Sequence, residues 1–317
     1  MRILLTMFFL VASLFAQKLV QPVYVYKTTK GLATDVDYAK NRLYIATDAG
    51  RVDIFDTKTK KELKHIDLTK IKDFMGDEID SKIFTIDMHK DILLILSQDS
   101  GGYSRVHFYE NKALKQVISQ ADKLNIIKAK FIDKNNILLA LISNDIILYN
   151  VQSRKIIWSK QASMSKFSNF ALNAKRSIVA VGDESGAVHL LDTKNGKKLQ
   201  TLDGENVDNL FSVAFRGDIV LTGGQDRRAA VYNIKSGLSY HKISHFFVYG
   251  VGLSPSGKIG AYSCDIDNNV ELFHTATQEK IATYKATKKV VNSIYFINEK
   301  EFFINSSAKS VGYYRVK

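Results

Sequence analysis

Seven histidines, one cysteine and no nucleophile motif bound the chemistry open to this chain of 317 residues. His241 and His245 stand four apart, a spacing that puts both rings on one face of an extended strand, where a pair of imidazoles is a conceivable metal site. Packing or surface roles are the expectation for both. His107 and His189 each lie inside a short β-type run, where packing is again expected. A lone cysteine, Cys264, excludes an intramolecular disulfide and any paired-cysteine metal or haem attachment. Flanked by Ala261, Tyr262 and Ser263, it reads as a small buried hydrophobe. There is no GxSxG elbow and no phosphate-binding loop, and Gly223-Gly224 reads as a strand-to-turn pair rather than a phosphate cradle. The expectation is a protein without catalysis, cofactor or bound metal.

Two features fit binding instead. The segment Lys72-Asp-Phe-Met-Gly-Asp-Glu78 places Phe74 and Met75 among the acids Asp77 and Glu78, an apolar pair with a polar rim of the kind that partner sites present. A self-packed insertion is the competing reading. The second feature is a run of lysine-rich turns, with Lys60, Lys61, Lys197 and Lys198 among their members. If these turns share one rim, they form a basic ring suited to an acidic protein or a membrane surface, diluted by Asp56, Glu62, Glu110, Asp192 and Glu279.

Both features take their position from a repeat. Short alternating runs such as Arg51–Asp56, Ala187–Asp192 and Val270–His274 each close on an aromatic residue or leucine. The closing positions are Phe55, Tyr109, Tyr149, Leu191, Tyr232, Phe273 and Tyr314, separated by 54, 40, 42, 41, 41 and 41 residues. A second apolar run precedes each mark, a polar or glycine turn separates the two, and a further short strand follows. Four short strands per unit of about 40 residues is the pattern of a propeller blade. The reading is an all-β, seven-bladed, WD40-like β-propeller. Its last unit reaches only a third strand, so the segment around Pro22–Lys27 is expected to supply the fourth. The interval of 54 carries an insertion, part of it in Leu68–Asp80 and part near Ser100–Tyr103.

Period and strand pattern together resemble the WD-repeat family over essentially the whole chain past the leader. The signature dipeptide survives as Phe55-Asp56 and Leu191-Asp192, and the family's turn aspartate as Asp226 and Asp267; the glycine-histidine pair is absent. An exported, lysine-rich, degenerate propeller of this length also resembles the NapL-type accessory proteins encoded with periplasmic nitrate reductase systems. That resemblance implies a supporting role in maturation or electron delivery, with nitrate reductase components as partners and no nitrate chemistry in this chain. A propeller enzyme or metal carrier and an outer-membrane assembly scaffold are the alternatives; the single tryptophan, Trp158, disfavours a quinone-cofactor propeller.

The N-terminus adds an address. Arg2 followed by the apolar run Ile3–Phe15 and then Ala16 has the layout of a secretory signal peptide, leaving 17–317 as one domain. Export makes nucleic acid an improbable partner for the net charge of +13. No second long apolar run exists, so the expectation is a soluble, monomeric periplasmic protein with no membrane span.

Overall fold

The computed structural model describes residues 19–317, so the expected leader Met1–Ala16 lies outside the described residues. Twenty-eight described strands form seven four-stranded antiparallel sheets, and two short ones form a separate hairpin. Within blade 1 the strands Ala33–Ala39, Arg42–Thr47, Arg51–Asp56 and Glu62–Asp67 lie in chain order, and the next five blades repeat the scheme. The chain is a seven-bladed β-propeller.

The strand chemistry follows depth in the blade. Second and third strands are covered on both faces, so Leu43–Thr47 and Val52–Phe55 are buried without interruption; they are largely apolar, and the one charge among them, Asp53, accepts from the Thr29 N–H and hydroxyl. The fourth strand lies on the circumference and exposes most of its residues. The core lies in layers between neighbouring blades: Tyr44 and Ile54 pack with Ile83 and Leu93 of blade 2, and Leu138 and Leu148 of blade 3 pack with Phe167 and Val179 of blade 4. Every closing mark sits in a third strand, opposite a second-strand residue such as Leu43, Ile137 or Phe302. Phe273 instead faces Gly260, where a Cβ would come within 2.5 Å of its ring, so the large mark there requires glycine.

The last blade is composite. Its strands Val291–Asn298, Glu301–Ser306 and Ser310–Arg315 are completed by Tyr24–Lys27, which runs antiparallel to the third with Tyr24 opposite Tyr313 and Lys27 opposite Ser310. Just upstream, the Val20 N–H donates to Thr283 O, and the Lys285 N–H to Val20 O, tying the approach to the outer strand of blade 6. The expected position of the insertion is also found. The hairpin Ile71–Lys72 and Glu78–Ile79 stands between blades 1 and 2, and a short turn at Ser100–Gly102 joins the second and third strands of blade 2.

Antiparallel alternation gives the propeller two unlike ends. Blade-to-blade connections and second-to-third turns lie at one end, and first-to-second and third-to-fourth turns at the other.

Candidate functional site

The hairpin tip is built by Asp73. Its carboxylate accepts the N–H groups of Met75 (2.8 Å) and Asp77 (3.0 Å), while its carbonyl accepts Gly76 N–H. The base is tied to the second insertion, because Lys72 N–H donates to Ser100 Oγ at 3.2 Å. Phe74 lies beside Gly102, where a Cβ would be 3.7 Å from its ring. Even so, Phe74 and Met75 are 86% and 87% exposed. Asp77 and Glu78 flank them, also exposed, so the structure gathers these four residues at one projecting tip.

The tip is part of a wider asymmetry. Leu32, Phe74, Met75, Met164, Val207 and Val290 are exposed apolar side chains in five of the seven blade-to-blade connections. A sixth connection carries Phe246, Phe247 and Tyr249, which cluster with Phe211 at ring separations of 4.8–6.3 Å. Among the described residues, the opposite end exposes two large apolar side chains outside strands, Leu238 in a turn and Val23 where the chain enters the closing strand. Solvent opposes such placement unless something else covers it.

The lysines occupy that opposite end. Lys60 and Lys61 lie in the third-to-fourth turn of blade 1; Lys197 lies in that of blade 4, and Lys198 begins the following strand, Lys198–Leu202. Lys61, Lys197 and Lys198 are exposed. Lys60 also has an internal role: its Nζ lies 4.9 Å over the Tyr24 ring, and its carbonyl accepts the Tyr24 hydroxyl, fastening the closing strand to blade 1. The two predicted groups, apolar tip and basic turns, therefore sit at opposite strand ends.

A third locus, not anticipated from the sequence, is the central channel, a cavity of about 600 Å³ lined by the first strands of all seven blades. Six of those strands shift register at their second residue, so the ladder resumes at Asp35, Thr85, Lys128, Asn169, Ser212 and Ser293, which share one level. Two residues on, at the next level, stand Asp37, Asp87, Lys130 and Tyr295. Neighbouring first strands splay too far to pair, and side chains satisfy their amides instead. Asp35 accepts Ile86 N–H (3.0 Å), Asp37 accepts Met88 N–H (2.6 Å), Asp87 accepts Phe131 N–H (2.8 Å) and Ser212 accepts Val251 N–H (3.2 Å).

Charges converge there. Arg176, in the first-to-second turn of blade 4, forks onto Asp87 of blade 2 at 2.6 and 3.2 Å and also donates to Phe131 O of blade 3. Lys130 donates to Ile86 O at 2.6 Å, with Asp87 and Asp35 at 3.7 and 3.9 Å. Burial, reinforced by the Asp87 charge, pushes the Asp37 carboxyl up to about 6. Burial and the Lys130 charge pull the Lys128 ammonium down to about 8.

His241 lies in the strand Ser239–Ile243, whereas His245 lies past its end and is exposed, as are His65 and His274; His107 and His189 are buried in third strands. His241 Nδ1 meets Glu205 Oε2 at 2.6 Å, and His189 lies between Asp183 (3.0 Å) and Thr201 (3.3 Å). Among the described residues no three His, Cys, Asp or Glu gather as a metal site. Cys264 is buried, and burial pushes its thiol up to about 12, far from thiolate reactivity. Gly223-Gly224 ends the strand Ile219–Gly224 rather than lying in the turn; a Cβ on Gly223 would come within 2.4 Å of Val248.

His107 is 6% exposed, its Nδ1 has no partner, and burial beside Arg105 lowers its pKa from 6.5 to about 4. A depressed folded value means that the neutral ring stabilises the fold above pH 6.5, a contribution lost as pH falls towards 4. Asp37, with a raised value, shifts stability the other way over part of that window, so the comparison is made against His107→Leu. In urea titrations, wild type should lose about 3 kcal/mol relative to His107→Leu between pH 7 and pH 4. A difference independent of pH would show that the ring is not held neutral.

The sequence matches no protein-family model and no curated protein. The channel charges left one sequence signal: Asp35 and Asp37, and Lys128 and Lys130, stand two apart in the opening strands, where a strand face would otherwise be small or apolar. Which of them meet depends on how the blades wrap around the axis.

Proposed function

We propose that the protein is a non-catalytic interaction scaffold whose partner docks on the end carrying the blade-to-blade connections. The observation that carries this reading is the concentration of exposed apolar side chains at that end, with Phe74 and Met75 on a braced hairpin projecting from it. A rigid tip loses little conformational freedom on binding, and apolar anchors inside a polar rim supply most of an interface's energy.

The finer reading combines the leader Met1–Ala16 with the resemblance to NapL-type proteins: a periplasmic WD-repeat propeller, accessory to a nitrate reductase system, acting in maturation or electron delivery. Its support is the 41-residue period and the turn aspartate Asp226, which accepts from Asn206 and Val207 of the preceding connection. The basic turns at the other end would then meet an acidic surface other than that partner.

Photo-crosslinking tests the reading. A crosslinker at Met75 should trap one identified periplasmic protein, a nitrate reductase component on the finer reading, whereas one at Lys197 should not. Phe74→Ala with Met75→Ala should weaken that complex by roughly 2–4 kcal/mol while leaving the melting temperature unchanged. Equal trapping at both positions would defeat the assignment of the face.

A further inference from the structure

We infer that the central channel is a binding site for a small oxyanion, a carboxylate or an inorganic oxyanion, held by Lys128. Lys130 and Arg176 are occupied by Asp35 and Asp87. Lys128 is different. Among the described residues no carboxylate lies within ion-pair distance of its ammonium. The recorded neighbours are Asn169 Oδ1 at 2.6 Å and the face of Phe170, 5.2 Å from the ring centre. A partly buried ammonium with no carboxylate at ion-pair distance keeps much of its desolvation cost, which Asp35 and Asp87 offset only from farther away. A bound anion lowers that cost, and Lys128, which lines the cavity, has two ammonium donors left for it beyond the one given to Asn169.

On the same level stand two hydroxyls and one carboxylate, Asp35, whose charge is met by Ile86 N–H and by Lys130. Ser212 Oγ accepts from Val251 N–H, and Ser293 Oγ accepts from Asn305 Nδ2; among the described residues neither hydroxyl hydrogen has an acceptor. Register places both hydroxyls on the ring that holds Lys128. Above that ring, the unpaired bulge residues Phe84 and Ile127 line the cavity with apolar surface, a fit for the carbon skeleton of a short organic acid. The cavity of about 600 Å³ is roomy enough for such a molecule with its residual water. The site is independent of the docking face and stands or falls without it.

Calorimetric titration of the purified protein with sodium succinate and with sodium sulfate, at fixed ionic strength in chloride, tests the site. Saturable binding of either anion is expected, with succinate the tighter if the apolar ring takes part. Lys128→Met should weaken it at least about tenfold and Ser212→Ala a few-fold. Lys197→Met, on an outer turn, should leave it unchanged. Lys128→Gln is the second variant should the methionine fail to fold, and melting curves report folding for each. No saturable heat with either anion, or undiminished affinity in a folded Lys128 variant, overturns the inference. Sulfate binding without succinate binding supports it and assigns the site to inorganic oxyanions.

Discussion

Tyr26→Ala is expected to cost about 3–5 kcal/mol of unfolding free energy, and deletion of residues 19–27 to yield a chain that associates through an open strand edge. Tyr26 is 1% exposed and its ring packs on Phe55 of blade 1 (5.3 Å) and Phe303 of blade 7 (6.1 Å), so it joins the two blades that close the ring. Truncation leaves a cavity between sheets pinned by their neighbours, a site poorly able to collapse. Deletion is worse, because it bares the whole edge Ser310–Arg315, an unpaired strand edge able to template association. Urea titration of the point variant and size-exclusion chromatography of the deletion read the two effects. Tyr26→Phe, which keeps the ring, should stay within about 1 kcal/mol of wild type. A truncated protein that elutes as a stable monomer would show that the propeller closes without this strand.

Arg176→Ala should destabilise the protein by about 3–5 kcal/mol, because it strips the guanidinium from a nearly buried carboxylate. Asp87 would retain Phe131 N–H and the more distant Lys130, neither of which replaces a two-pronged ion pair. The informative control is the double variant Arg176→Ala with Asp87→Asn. Removing both charges should recover much of the loss, because the cost of the single change lies in the abandoned anion more than in the missing bond. If the double variant is no more stable than Arg176→Ala alone, the guanidinium acts through its bond to Phe131 O rather than through Asp87. Denaturant midpoints at neutral pH decide between these.

The fold was legible because a blade must repeat its chemistry. The position opposite a second-strand residue in the third strand is always enclosed by two neighbours, so Phe55, Tyr149 and Tyr314 recur at a period set by blade length. The 54-residue interval announced the hairpin at Ile71–Ile79 for the same reason. The pairing of Tyr24–Lys27 with Ser310–Arg315 could be read from the missing fourth strand of the last unit. The channel was not legible in this way. Asp87 and Arg176 are 89 residues apart and two blades distant, and nothing in either strand's own pattern declares the other. The register shifts that set Asp35, Lys128 and Ser212 at one level are likewise backbone events, compatible with many side chains at the bulge. The exposure of Met164 and Val207 was missed because isolated apolar residues in connections are common and gain meaning only when several share an end.

The composite last blade also sets a timetable. Tyr24–Lys27 leaves the ribosome early, yet its partner Ser310–Arg315 is made only after nearly all the intervening chain. Six blades can each pair from contiguous sequence as they are made, but the seventh waits on a loop closure spanning almost the full length, among the slowest kinds of contact to form. Until then the chain is an open arc with a bare strand at one end and a loose ribbon at the other. A quality-control factor that recognises unpaired strands therefore has a long interval in which to hold this protein, and the closing clasp ends that interval in a single event.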